Sequence, residues 1–237
     1  TSEKIYNLKG IEDFTALTRL RCQRNLITSL DLSKNTALSS LECSLNQLTS
    51  LDLSNNKALI NLDCGWNELT SLDLSENTNL TSLKCGMNQI TSLNVRNNKV
   101  LTDLYCSENQ LSTLDVSQNT SLENLGGGRN LLTSLDLSNN KALTVLTLYS
   151  NELTSLDVSH NTLLQTLGCD KNKITSLDLS NNKALTNLVC TDNLLTSLDL
   201  SNNMALTNIE CNGMYADIWG EPNTRKGNQI TNLDVSN

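Results

Sequence analysis

Cysteine is the most chemically versatile residue in this chain, and its spacing is regular. Cys22, Cys43, Cys64, Cys85, Cys106, Cys169, Cys190 and Cys211 are separated by 21 residues or a multiple of 21. Thiols at a fixed step allow metal ligation, disulfides or plain apolar packing. A linear column offers no tetrahedral closure, and no C-x-x-C pair is present. The uninterrupted runs, Cys22 to Cys106 and Cys169 to Cys211, hold odd numbers and cannot pair fully. Side chains stacked in register about 4.8 Å apart also sit wider than a disulfide prefers. The spacing therefore favours a reduced core ladder. Gly127 and Leu148 occupy the two missing places, so an absent side chain abuts an oversized one that can fill its gap.

The other candidates for chemistry are weaker. The sole histidine, His160, falls in a turn column with no nucleophile pattern beside it. Gly126-Gly127-Gly128 lacks the Gly-Lys-Ser/Thr ending of a phosphate loop. It is expected to leave either a bare notch between Tyr105 and Tyr149 or a kink. An acidic column runs through Asp31, Asp52, Asp73, Asp115, Asp136, Asp157, Asp178, Asp199 and Asp234, with Asn94 as the exception. Calcium suits oxygen ligands, but the acidic glycine-rich nonapeptide of calcium-binding β-rolls is absent. Hydroxyls and turn N–H groups are expected to offset that charge instead. No catalytic residue, metal or cofactor is expected.

The elements that position these residues follow from the period. Leu columns run from Leu17, Leu20 and Leu30, and Asn columns from Asn25 and Asn35, all at the same step. Each coil reads L-x-x-L-x-C-x-x-N and then L-x-x-L-x-L-x-x-N, both halves fitting the leucine-rich repeat template. Leu62 and Cys64 alternate with Asn61, Asp63 and Gly65, the period-2 signature of a short strand. The expectation is a leucine-rich repeat solenoid of about ten 21-residue coils. A short parallel β-sheet would line its concave face, with an irregular, β-like or 3-10 convex side. One coil cannot offset the entropy of ordering itself, so stability must lie between neighbours. The Asn amides are expected to satisfy turn backbone groups. A single domain over 1–237 is predicted: an opening coil at 1–16, regular repeats at 17–211, an insertion at 212–227 and a last partial coil at 228–237. The apolar-rich insertion is expected to cover the terminal core, the alternative being a binding loop. The chain opens Thr1-Ser2 without Met or a leader pattern, as expected of a mature or excised segment.

Composition limits the partners. Of 237 residues, 38% are hydrophobic and 3% aromatic, with a net charge of -8. That charge argues against nucleic acid and anionic membrane. No run approaches the ~20 apolar residues of a membrane helix.

Variation among the coils marks a candidate binding surface. The half-coil Thr49-Ser50-Leu51-Asp52-Leu53-Ser54 recurs almost unchanged, while outward positions around the Cys strand differ. Leu45, Trp66 and Met87 fall side by side on consecutive coils, with Tyr105 near. Apolar patches and aromatic residues of this kind anchor interfaces. Lys84, Arg129 and Tyr149 complete the surface, and Arg19, Arg21 and Arg24 cluster on the first coil as an anionic-partner contact or a solvated end. The expected function is non-enzymatic binding through the concave face. The alternative is a structural spacer presenting another domain.

The opening Leu8-Lys9-Gly10-Ile11-Glu12-Asp13-Phe14-Thr15-Ala16-Leu17 resembles a coil of the bacterial internalin group, with its Gly-Ile and a helical turn packing an aromatic. The following coils resemble that group's 21-residue, cysteine-ladder variety across nearly the whole chain. The resemblance implies a secreted or cell-surface bacterial protein of adhesion type that recognises a protein or glycoprotein, such as one on a host surface; a monomer is expected. The chain departs from the full pattern in showing no helical cap, no immunoglobulin-like segment and no sorting signal.

Overall fold

The computed structural model describes residues 4–212 and 227–235. Each strand is three residues long with a leucine or isoleucine at its centre. They are β1 (Arg19–Arg21), β2 (Ser40–Glu42), β3 (Asn61–Asp63), β4 (Ser82–Lys84), β5 (Asp103–Tyr105), β6 (Asn124–Gly126), β7 (Val145–Thr147), β8 (Thr166–Gly168), β9 (Asn187–Val189), β10 (Ser197–Asp199), β11 (Asn208–Glu210) and β12 (Asn232–Asp234). Strands β1 to β9 and then β11 form one parallel sheet in chain order. Every pairing in this sheet joins residues 21 apart, as in Leu41 with Leu62 and Leu62 with Leu83. The sequence period and the sheet register are thus the same fact. β10 and β12 pair in parallel on the second half-coil, where the remaining coils are turns plus a single bridge between Asn94 and Asp115. The fold is the leucine-rich repeat solenoid that the period predicts, with almost no helix.

The core is a stack of leucine layers. Leu38, Leu41, Leu48, Leu59, Leu80 and Leu83 are fully buried, and the same columns continue to Leu195. Seven cysteines are buried within this stack, Cys211 is half-buried, and all eight are free thiols. Burial raises the Cys22 thiol to about 11 and those of Cys106 and Cys190 to about 12, because a thiolate cannot be solvated there. The gap in the ladder closes as the residue types suggest. A Cβ on Gly127 would meet Leu148 Cδ2 at 3.3 Å and lie 4.0 Å from the Cys106 sulfur.

Two asparagine ladders tie the coils together, and they differ. In the first, Asn67 Oδ1 accepts from the Leu48 N–H at 3.0 Å, and its Nδ2 donates to the carbonyls of Cys43 and Cys64, both at 3.1 Å. The pattern recurs from Asn46 to Asn193, and Asn228 takes the same part toward Leu195, Cys190 and Cys211. In the second, Asn56 Nδ2 donates to Leu32 and Asn35 carbonyls, but Oδ1 finds no partner there or at the eight equivalent positions.

The opening coil contains one 3-10 turn, Ile11–Asp13, preceded by Gly10 at φ 92°. The resemblance implied an aromatic packed on this turn. Phe14 is instead 63% exposed, and its carbonyl accepts from Asn35 Nδ2 at 3.0 Å. The insertion falls almost wholly outside the described residues, and so does the question of whether it covers the core.

Candidate functional site

The outward faces of β2 to β5 meet the turn that follows each of them. That turn fixes the orientation of the Leu45 row. Arg24, Leu45, Trp66, Met87, Glu108, Arg129, Ser150, Lys171 and Asp192 all have φ between 50° and 61°. This is the left-handed region, which costs a bulky residue about 1–2 kcal/mol. The coil-to-coil hydrogen bonds impose it: Leu45 N–H donates to the Gly65 carbonyl at 3.0 Å, Trp66 to Gly86 at 2.9 Å and Met87 to Ser107 at 2.8 Å. The sequence shows the row as variable but not as left-handed, because neither Gly nor Asn fills it.

Leu45, Trp66, Met87 and Tyr105 line one open groove of about 310 Å³, together with Lys84, Asp63 and Glu108. Its floor is made by Gly65 and Gly86. A Cβ on Gly86 would lie 2.9 Å from the Ser107 carbonyl oxygen, so the coils approach too closely there for a side chain. Trp66 is 55% exposed and Tyr105 38%. Periodicity does not mark Asp63 and Glu108 as lining, since each stands in a column of mixed types; the glycines at 65 and 86 are the one signal for the floor.

A second, larger groove of about 680 Å³ adjoins this one on the sheet face. It is polar, lined by Arg19, Ser40, Glu42, Asn61 and Ser82, and it shares Asp63 and Lys84 with the first. The arginines of the first coil separate here. Arg19 and Arg21 each bond Glu42 Oε1 at 2.8 Å, which holds the Glu42 carboxyl below its usual range. Arg24 stands apart at its left-handed turn, where its carbonyl accepts from Lys4 Nζ.

Arg129 bridges to Glu108 at 3.5 Å and so adjoins the apolar groove. Tyr149 does not line it. Its ring lies over Gly128, where a Cβ would come within 2.3 Å of Cε1, and the Tyr105 ring lies against Gly126 from the opposite side. This corrects the expectation of a bare notch. Gly126, Gly127 and Gly128 are all buried, because the two tyrosine rings and Leu148 take the space those glycines vacate. Burial is also the main cause that raises both tyrosine hydroxyls above their ordinary value.

The acidic column has an internal explanation. Asp52 Oδ1 accepts from the Ser54 N–H at 2.9 Å, and the same bond recurs at Asp73, Asp136, Asp157, Asp178 and Asp199. These bonds hold the carboxyls of Asp52 and Asp73 below the usual range. At Asp115 the Ser117 hydroxyl, its N–H and Arg96 lower the value to about 2. No group of three or more metal-ligating side chains occurs among the described residues, and no helix among them is long and apolar enough to cross a membrane. His160 is exposed, with its ring beside the Ser159 hydroxyl.

A parallel sheet of three-residue strands, buried leucine layers, a thiol column and Asn ladders define a leucine-rich repeat protein of the cysteine-ladder class. The chain superimposes on the functional domain of InlJ from Listeria monocytogenes, described as including a cysteine ladder, with a TM-score of 0.87 and 35% identity over 99% of this chain. It spans 56% of that domain's length. A leucine-rich repeat protein of Leptospira interrogans matches with a TM-score of 0.74 and 26% identity, covering 98% of this chain and 66% of that one. The ectodomain of the Arabidopsis thaliana receptor kinase GASSHO1/SCHENGEN3, in complex with CASPARIAN STRIP INTEGRITY FACTOR 2, shares the fold at 23% identity and a TM-score of 0.80 over 96% of this chain and 32% of its own. No family model matches the chain, and no curated protein matches it. The chain is an internalin-like leucine-rich repeat protein of the cysteine-ladder, 21-residue type.

Proposed function

We propose that the chain is a non-enzymatic binding module that docks a protein or glycoprotein partner on the face formed by β2 to β5 and the turns after them. The observation that carries this reading is the row of Leu45, Trp66 and Met87. Three large apolar side chains line an open groove from left-handed backbone positions, Leu45 and Trp66 exposed and Met87 half-buried. The same column elsewhere holds arginine, glutamate, serine, lysine and aspartate, so the fold itself does not require apolar residues there. A position that is both strained and exposed is paid for by function more readily than by stability. On the likeness to the internalins we place it in a secreted or cell-surface setting in a bacterium, and we propose adhesion as its role and the monomer as its working unit.

The test is a screen of the intact chain against arrayed extracellular proteins and glycans, repeated with Trp66→Ala and Tyr105→Ala. A partner whose affinity falls about tenfold or more in either variant supports docking at this groove. Partners bound equally well by both variants would place recognition elsewhere. A spacer that only presents another domain would capture no ligand in either form.

A further inference from the structure

The ten strands of the main sheet present three basic residues outward: Arg19, Arg21 and Lys84. The first two both pair with Glu42. Lys84 ion-pairs with no carboxylate among the described residues, although Asp63 stands directly beside it in the sheet register. Asp63 is committed to the Ser44 hydroxyl and the Gly65 N–H, both at 3.2 Å. The other nearby carboxylates are committed as well. Asp103 accepts from Thr102 Oγ1 and Asn124 Nδ2, and Glu108 pairs with Arg129. The Lys84 ammonium instead lies 5.8 Å from the centre of the Tyr105 ring. There it stands on the ridge shared by the polar and the apolar groove.

Resting on the docking reading above, we infer that the occupant of this face is an extended acidic-apolar protein segment: its aspartate or glutamate meets Lys84 while a neighbouring apolar side chain enters the Leu45–Trp66–Met87 groove. The ammonium of Lys84, left without a carboxylate partner among the described residues, selects the acid. An exposed ammonium already steadied by a ring face gains a charge-assisted bond without first breaking an internal one. The lining suits an apolar side chain, since leucine, tryptophan and methionine surround the groove and Tyr105 is engaged by Lys84 on one face and by Gly126 at an edge. Four coils at about 4.8 Å span roughly 14 Å, the reach of four or five extended residues at about 3.3 Å each.

The experiment pans a displayed library of random linear peptides on the intact chain, then measures recovered peptides against Lys84→Gln, Lys84→Glu and Trp66→Ala. Both positions are exposed, and circular dichroism checks each variant's fold. The expected result is enrichment of Asp or Glu next to, or one removed from, a large apolar residue. Affinity should fall about tenfold or more in Lys84→Gln and in Trp66→Ala. Panning on Lys84→Glu should enrich Lys or Arg in place of the acid. Recovered peptides without an acid, or peptides indifferent to Lys84→Gln, overturn the inference. So does Lys84-dependent capture of sialylated or sulfated glycans on an array when panning recovers no peptide. If panning fails while Trp66→Ala still weakens a partner from the protein screen, this inference falls and the docking reading stands. If both fail, both fall.

Discussion

Removal of one first-ladder asparagine leaves less unsatisfied than its hydrogen bonds suggest, and removal of two neighbours leaves more. Asn109 accepts from the Ile90 N–H at 2.9 Å and donates to the Cys85 and Cys106 carbonyls, both at 3.1 Å. Each carbonyl has a second donor. Asn88 also donates to Cys85 at 3.0 Å, and Asn130 to Cys106 at 3.1 Å. Asn109→Ala therefore orphans one buried N–H and thins two carbonyls to single bonds. An orphaned buried group costs about 1–3 kcal/mol and each lost redundant bond about 0.5–1.5, so the expected loss is about 2–6 kcal/mol. Asn88→Ala behaves likewise through Leu69, Cys64 and Cys85. In the double variant the Cys85 carbonyl loses both donors at once. The pair should then cost about 1–3 kcal/mol more than the sum of the singles. Asn67 and Asn109 share no partner, so their double variant should be additive within about 0.5 kcal/mol.

Urea denaturation of the six proteins, followed by circular dichroism and checked for a constant m-value, measures both cycles. An additive Asn88/Asn109 pair would refute the shared-carbonyl account. The second ladder supplies a contrast. Asn119 donates to Val95 and Asn98 carbonyls, but those carbonyls also accept from the N–H groups of Asn98 and Leu101, and Asn119 Oδ1 is itself unpartnered. Asn119→Ala orphans nothing and removes one buried, unpaired oxygen, so it should cost less than Asn109→Ala under the same conditions.

Gly127→Cys should destabilise by overpacking against Leu148, and Leu148→Cys by leaving a gap beside Gly127, each by about 1–3 kcal/mol. The double variant, which completes the ladder, should recover most of that in denaturation, and a double loss equal to the sum would show that the two sites do not share space. The carboxyls of Asp52, Asp73 and Asp115 are lowered in the folded state, so their contribution is present above the ordinary carboxylate value and lost as pH falls through it toward about 2; urea midpoints should drop over that range, and less so in Asp115→Asn. The Cys22, Cys106 and Cys190 thiols are raised, so the neutral form is favoured on folding, and stability should decline as pH rises above the ordinary thiol value toward 11–12. Trp66→Asn exchanges a strained, half-exposed tryptophan for a residue that tolerates the left-handed region, and its unfolding free energy in urea should be unchanged or raised by up to about 1 kcal/mol; a clear loss would mean that Trp66 holds the fold.

Almost all of the architecture was legible because register here is set by sequence spacing alone. Once Leu62 stands 21 residues after Leu41 and 21 before Leu83, a parallel sheet of equal coils is the one arrangement that buries all three. The thiol column and the Gly127–Leu148 exchange follow from the same count. Geometry that depends on backbone conformation did not follow. Nothing in the letters Leu45, Trp66 and Met87 marks a positive φ, since that conformation is imposed by the N–H bonds to Gly65, Gly86 and Ser107. The roof over Gly126 and Gly128 was missed for a related reason. A run of glycines reads as empty space, yet the space belongs to whichever neighbour can lean into it, and Tyr105 and Tyr149 do so from adjacent coils.

The left-handed column links the fold to its use. In a solenoid every coil meets the same backbone demand, so each position is repeated under nearly constant structural conditions and the chain supplies its own comparison. Where the demand is packing, the coils agree, as in the Leu and Asn columns. Where the backbone cost is constant and the side chain faces water, agreement brings no stability and any residue serves. Nine coils carry that cost at this column, and most meet it with polar or charged side chains that water solvates. Three consecutive coils carry large apolar ones instead, beside Lys84, the one outward basic residue of the sheet that pairs with no carboxylate among the described residues. Local strain cannot account for that grouping, because the strain is equal throughout, and core packing cannot, because the side chains line an open groove. A surface shaped for contact with another molecule accounts for both the residue types and their adjacency.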